Sequence, residues 1–310
     1  MNIQLLKDTL AIQTSSNKEQ AMRQFIRSQV KAIPDTKISY HAGNIYVTRG
    51  EALLYPCVVA HMDTVHDCYK DFQIYQTGDN LFAMDTHAVR QVGIGGDDKV
   101  GVFIALEMLR IFEHMKLVFF TNEEIGCVGS SQARLSFFED CSFVLQCDRM
   151  GNKDFIQYGG YTELFGPEFE DKVLPLLVKR GYEPSEGYLT DVVELKERGL
   201  DIAVANIACG YYNPHTDQEY VNIQDVINCH ALVREIIEKL GHERHDHFPD
   251  WLSDFPNEPE ILPHITSIGV CMECESEVKV DEMFHPYCPK CNAYKDDSEY
   301  TEELPFDRVA

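Results

Sequence analysis

Histidines and carboxylates recur through the first two thirds of this 310-residue chain, nearly always just after an apolar run. His61 and Asp63 stand in Val-Val-Ala-His61-Met-Asp63-Thr-Val, and Asp97 in Gly-Ile-Gly-Gly-Asp97-Asp98-Lys-Val-Gly. Glu123 and Glu124 follow Val-Phe-Phe-Thr-Asn, Asp148 follows Val-Leu-Gln-Cys, and His215 lies in Asn-Pro-His215-Thr-Asp. Residues that follow buried apolar runs sit where strands end, and open α/β sheets form their reactive centre outside the carboxyl ends of their strands. Five separate segments therefore converge on one site, whose donor set suits two divalent cations and the hydrolysis of a polar bond.

The residue types fit that chemistry one by one. Side chains two apart on a strand share a face, so His61 and Asp63 point the same way. A metal-bound histidine usually gives its other ring nitrogen to a carboxylate, a role that suits Asp63. Asp97, opening a helix after two glycines, can bridge two cations and gain from the helix N-terminus. Adjacent Glu123 and Glu124 would repel each other; beside a metal, one ligates while the other takes a proton from the attacking water. Asp148 and His215 add one ligand to each cation. A lone His-x-Asp is more often a local hydrogen bond than a metal site, so the weight rests on the whole set.

The elements that must position these groups alternate between strand and helix. Residues 1–33 read as two amphipathic helices, with Ser16 and Glu19 as a capping box for the second. Strand patterns follow at Lys37–Tyr40, Asn44–Thr48, Leu53–Ala60, Lys116–Thr121, Ser142–Cys147 and Asp201–Ile207. Helices are expected over Asp98–Glu113, Pro167–Arg180 (closed by Gly181) and Asn222–Leu240. This order predicts an α/β fold with a doubly wound, mostly parallel sheet. Residues 1–241 are read as one catalytic domain, 242–267 as a linker rich in Pro, Asp and Glu, and 268–310 as a separate small domain. His242, His245 and His247 read as a solvated helix terminus.

Bulk composition narrows the function. A net charge of −24 argues against nucleic acid or an anionic membrane as partner. No apolar run approaches the ~18 residues of a membrane span, and the N-terminus lacks a signal-peptide pattern. Seven of the 11 cysteines (Cys57, Cys68, Cys127, Cys141, Cys147, Cys209, Cys229) are scattered without a disulfide framework, which points to buried thiols and a reducing, cytoplasmic setting.

The motifs resemble the co-catalytic dizinc exopeptidase superfamily, which includes peptidase T, carboxypeptidase G-type enzymes, acylases and leucyl aminopeptidases. His61-Met-Asp63-Thr-Val and Gly95-Gly96-Asp97-Asp98-Lys-Val-Gly are most similar to peptidase T, and the match spans about residues 55–225. The resemblance implies two catalytic Zn2+ (or Co2+ or Mn2+) ions. It implies that Asp97 bridges them, that His61 and Asp148 bind one, and that Glu124 and His215 bind the other. Glu123 would be the general base and Asp63 would orient His61. Only 66 residues separate Asp148 from His215, enough to finish the sheet but not to add the lid domain of peptidase T-like enzymes. Single-domain aminopeptidases of the superfamily manage without a lid, and some carry a tyrosine before a Ser-Asp segment. Gly187-Tyr188-Leu-Thr190-Asp191 is similar though one residue shorter, which makes Tyr188 a candidate oxyanion donor or, equally, a packed tyrosine.

Cys271-Met-Glu-Cys274 and Cys288-Pro-Lys-Cys291 supply four thiolates at the spacing of a structural zinc, with a redox pair as the alternative. The segment resembles a zinc ribbon, which the metal would hold together because so few residues cannot bury a core. Residues 241–310 hold 17 Asp+Glu against 5 Lys+Arg, which favours a protein partner or a substrate-gating cap over nucleic acid. The expected activity is cleavage of a peptide bond, foremost by an aminopeptidase on short peptides. The superfamily resemblance supports this, since an aspartate at the position of Asp148 tends to accompany aminopeptidases. An amidohydrolase or deacylase acting on a small non-peptide amide is the alternative, and a catalytically dead binding module is a third reading.

Overall fold

The protein is described by a computed structural model, which covers residues 1–247 in full and then 269–271, 277–280, 286–288, 290–291, 293–294 and 300–301. Two compact units emerge, Met1–Asp254 and Phe255–Ala310.

In the first unit, helices α1 (Ile3–Leu10) and α2 (Gln20–Lys31) precede strands β1 (Thr36–His41), β2 (Asn44–Arg49) and β3 (Tyr55–His61). Strands β4 (Phe72–Thr77), β5 (Asn80–Asp85) and β6 (Arg90–Val92) come next, then α3 (Gly96–Ile111) and β7 (Met115–Phe120). The short α4 (Val128–Ser131) leads to β8 (Cys141–Arg149), β9 (Asp154–Gly159), β10 (Thr162–Glu163), α5 (Pro167–Arg180) and β11 (Glu183–Gly187). The unit finishes with α6 (Asp191–Glu197), β12 (Val204–Ala208), β13 (Tyr211–Tyr212), β14 (Tyr220–Asn222) and α7 (Ile223–Leu240).

The main sheet runs β1-β2-β7-β3-β8-β12-β9-β10, with β11 also paired to β9. Its centre is parallel: β3 pairs with β7 and β8, and β8 with β12. Every residue of β3, β7 and β12 is buried, as their largely apolar sequences require of strands covered on both faces. Helices α3 and α6 both pack on β3 and β8. Antiparallel β1, β2, β9 and β10 flank this core, so the sheet is mostly parallel only at its centre. The residues between Asp148 and His215 form β9 to β13 with α5 and α6, and so complete the sheet within the same unit.

A second sheet, β13-β14-β5-β4 with β6 on β5, was missing from the sequence reading. Its signal was present: Phe-Gln-Ile-Tyr-Gln-Thr alternates, and Gly78-Asp79 joins Thr77 to Asn80 as a two-residue turn with Gly78 at φ +58°. Two local readings are corrected. Ser16 and Glu19 form no capping box; Glu19 precedes α2 without a side-chain cap, and both side chains turn instead to the loops beyond β3 and β7. Of the three histidines only His242 is solvated at the helix terminus; His247 is half-buried and His245 is buried. His245 is 4 % exposed, packs against Phe143 and Phe169, and accepts the N–H of Ala203 through its main chain. An isolated bridge from Ile202 to Asp246 continues this attachment, so residues 242–247 belong with the sheet rather than with a free linker.

In the second unit, Gly269–Cys271, Glu277–Val280, Pro286–Cys288, Ala293–Tyr294 and Tyr300–Thr301 pair antiparallel. Cys288 is buried and its sulfur accepts the N–H of Cys291 at 3.4 Å. Cys271 ends one strand, and Cys274 lies outside the described residues. Among the described residues no helix is long and apolar enough to cross a membrane.

Candidate dinuclear metal centre

Sheet register brings the first ligands together. His61 pairs with Phe120 across β3 and β7, which sets Thr121–Glu124 beside His61–Asp63. Val59 pairs with Gln146 across β3 and β8, so two residues on, Asp148 lies beside His61. Asp97 enters from the start of α3, where Asp97 and Asp98 depart from helical torsion angles and their peptide is cis. The expectation that Asp97 simply opens a helix is corrected: regular helix begins after Asp98. Gly95, at φ +68°, makes the left-handed turn that aims Asp97 at the strand ends. His215 is delivered by the loop between β13 and β14, and therefore by the second sheet.

The donors form two groups that share Asp97: His61, Asp97 and Asp148, and Asp97, Glu124 and His215. His61 Nε2 lies 3.0 Å from Asp97 Oδ1 and 3.6 Å from Asp148 Oδ1. His215 Nε2 lies 3.3 Å from both Asp97 Oδ2 and Glu124 Oε2. Asp97 thus turns one oxygen to each group. Ligand bonds of about 2.0–2.1 Å at tetrahedral angles put donor atoms about 3.3 Å apart, close to the 3.0, 3.3 and 3.6 Å separations seen here. Glu123 stands beside them, its Oε2 3.9 Å from His61 Nε2.

Supporting contacts fix these side chains. The main-chain carbonyl of Asp63 accepts from His61 Nδ1 at 3.0 Å, closer than the Asp63 carboxylate at 3.5 Å. With Nδ1 so engaged, Nε2 faces the carboxylates. Burial opposes protonation of the ring, but Asp148, Asp63 and Asp97 raise its pKa well above the ordinary imidazole value. The Asp63 carboxylate mainly holds the neighbouring loop, accepting the N–H groups of Glu123 (3.0 Å) and Glu124 (3.3 Å) and the hydroxyl of Ser16 (2.7 Å). Asp148 accepts from Thr190 (2.9 Å), Gln146 (3.1 Å) and the buried Tyr211 hydroxyl (3.4 Å). Asn206 pairs with the Asp148 main chain in both directions. Gln146, Asn206, Tyr211 and Glu219 were not singled out by the sequence. Gln146 lies only two residues from Asp148, but the partners of the others lie far along the chain and no local pattern marks them.

Protein charges alone make this cluster uneasy. Burial, then the Asp148 and Asp97 carboxylates, push the Glu123 carboxyl up to about 8. Burial and Asp97 push Asp148 up to about 7. Burial also opposes ionisation of Asp97, yet hydrogen bonds from His215 and His61 hold it well below the usual carboxylate range. Hydrogen bonds to Asp97 and Glu124 raise His215 to about 10. The Oε1 atom of Glu124 is buried with no hydrogen-bond partner. An orphaned carboxylate oxygen among converging lone pairs is the signature of a place for cations, so these residues fit a pair of divalent ions.

The centre opens on a cavity of about 490 Å³, lined on one side by the acids and His215 and on the other by Met150, Ile156 and Leu189. Tyr188 stands at its mouth with its side chain 82 % exposed. Six of the seven scattered cysteines are buried, whereas Cys68 is exposed.

Paired cation sites at the carboxyl edge of a parallel sheet define a metal-dependent hydrolase of the α/β class. Residues 44–234 match the model of Peptidase family M28, and the chain belongs to that family; it is a zinc-dependent metallopeptidase. The fold is shared with aminopeptidase PepT from Bacillus cereus, at 13% identity and TM-score 0.62 over 77% of this chain and 97% of that one. It is also shared with a tripeptidase from Staphylococcus aureus (13% identity, TM-score 0.61, 78% and 98%). An aminopeptidase from the archaeon Desulfurococcus kamchatkensis aligns at 14% identity, TM-score 0.57, over 83% and 98%. No curated protein matches the chain. The superfamily resemblance carried by the motifs is borne out.

Proposed function

We propose that this metallopeptidase is an aminopeptidase acting on short peptides, with two zinc ions that share Asp97. The observation that carries the reading is the division of Asp97 between two donor groups, one oxygen to each, beside a buried Glu124 oxygen that lacks any other partner. His61 and Asp148 would complete one position, Glu124 and His215 the other. Cations there would polarise the scissile carbonyl and ease deprotonation of water.

The remaining work falls to the chain's own groups. Glu123 takes a proton from the attacking water and returns it to the leaving nitrogen. Asp63 holds that glutamate from behind through its main-chain N–H. Tyr188, at the cavity mouth, is the candidate donor to the developing oxyanion. Met150, Ile156 and Leu189, of which Met150 and Leu189 are exposed, give a substrate side chain apolar surface to cover. An acid-rich site also suits a substrate bearing a free ammonium group. In the C-terminal unit, Cys271, Cys274, Cys288 and Cys291 would hold a third, structural zinc in a ribbon serving a protein partner. The buried Cys288 sulfur, accepting the Cys291 N–H, supports this.

The test is turnover of matched dipeptides and tripeptides with free or acetylated N-termini, alongside N-acyl amino acids. Cleavage confined to free N-termini supports the aminopeptidase. Preference for the acylated set transfers the reading to a deacylase.

A further inference from the structure

Glu219 lies in the same loop as His215, four residues further on, and its side chain is completely buried. A buried carboxylate is costly unless its lone pairs are met, and here they are met by groups of the metal-site loops. Oε2 accepts the N–H of Gly95 at 2.6 Å and His66 Nε2 at 2.7 Å; Oε1 accepts the N–H of Asp97 at 3.2 Å. His66 lies flat against Gly93, where any Cβ would collide with its ring. A Cβ at Gly96 would meet the side chains of Tyr211 and Val221 and approach Glu219 Oε1. The loop before α3 is therefore shaped around this one carboxylate.

We infer that Glu219, held by His66, is a positioning residue that sets the shared ligand Asp97 and the His215 loop relative to each other. The inference rests on the two-cation reading above and assigns a cause to its geometry. The consequence is asymmetric. His61 and Asp148 belong to β3 and β8, which the sheet holds without Glu219. His215 sits in a seven-residue loop between two short strands, itself at φ +63°, and Glu219 is the side chain that fastens this loop to the turn carrying Asp97. Loss of Glu219 should loosen the Asp97–Glu124–His215 position more than the His61–Asp97–Asp148 position, which shares Asp97 but keeps two ligands on the sheet.

The experiment is titration of the metal-stripped full chain with Co2+, followed by calorimetry and visible absorbance. Thiolate charge-transfer bands separate the ribbon cysteines from the nitrogen and oxygen sites. Glu219→Gln keeps the shape but turns an amide N–H₂ toward main-chain donors. It should weaken one of the two nitrogen and oxygen sites roughly 10- to 100-fold, the usual range for residues that orient ligands, and the other markedly less. Excess metal should then restore kcat, which a general loss of structure would not allow. His66→Ala should act in the same direction, and His66→Gln, which can still donate to Glu219, should recover most of the loss. Equal weakening of both sites with a falling Tm, or parent-like affinity at both, overturns the role given to Glu219. A parent chain that binds fewer than two ions outside the thiolate site overturns the two-cation reading as well.

Discussion

The carboxylate of Asp63 accepts the main-chain N–H of Glu123 at 3.0 Å. An acid at the end of β3 thereby fixes the loop beyond β7 that carries the proposed base. The sequence had assigned Asp63 to orient His61, but its main-chain carbonyl is the closer partner of that ring. Asp63→Ala should therefore cost more in kcat than in metal affinity, because His61 keeps its carbonyl partner while Glu123 and Glu124 lose theirs. Kinetics beside metal analysis decide it; metal loss with parent-like kcat on reloading would return Asp63 to the histidine.

Glu123→Gln should keep both cations and lose about two to four orders of magnitude in kcat, the usual worth of a positioned base. Asp97→Ala should release both cations together, since it removes the one carboxylate common to the two groups. Metal content by mass spectrometry on the two variants separates the roles. An Asp97→Ala protein that keeps one ion tightly would remove Asp97 as the bridge.

Stability of the metal-stripped protein should fall as pH rises from about 5 to 9. Glu123 and Asp148 have folded pKa values of about 8 and 7, above their unfolded values of roughly 4, so the folded state holds extra protons in that window. His215, raised to about 10, acts in the same direction, because the stability of its protonated form is lost as pH climbs. Asp97 has the opposite sign, but only at pH values below the ordinary carboxylate range. Added Zn2+ offsets the crowded negative charge, so the gap in Tm between loaded and stripped protein should widen with pH. A constant gap from pH 5.5 to 8.5 counts against the cluster as the metal site.

The C-terminal boundary of the catalytic unit can be placed by truncation. Lys196 is fully buried and donates to the carbonyls of Leu200 (3.0 Å), Ile202 (2.8 Å) and His247 (2.6 Å). A chain ending at Gly241 strips one of those acceptors and uncovers Phe143 and Phe169, which His245 covers. It should lose several degrees of Tm against a chain ending at His247, consistent with a cost of about 1–3 kcal/mol for an unmet buried donor. Equal melting of the two truncations would return residues 242–247 to the linker.

The parallel core was legible because Leu53–Ala60, Lys116–Thr121 and Ser142–Cys147 are apolar but for a few residues, the pattern of strands covered on both faces. His61, Glu124 and Asp148 were legible for the same reason, each following such a run, whereas Asp97 and His215 follow a glycine turn and a loop. What escaped was everything decided by long-range pairing. Ser16 looks like a helix cap until its hydroxyl is found on Asp63, 47 residues away. Glu219 reads as one acid among 51 acidic residues until Gly95 and Asp97 are found donating to it. The second sheet carried a two-residue turn and an alternating strand, but its consequence, the delivery of His215, depends on β14 meeting β5, a pairing no local pattern announces.

Five separate stretches of chain contribute to the paired donor groups, and their order along the chain has a cellular consequence. An unfolded polypeptide cannot gather these atoms, so cations held by them would favour the native state, and every tenfold rise of free ion above its Kd would add about 1.4 kcal/mol to folding at each position. Scarcity of zinc would then be felt twice: as idle enzyme, and as a larger unfolded fraction open to proteolysis. The abundance of this peptidase should itself track the metal supply of the cell that makes it.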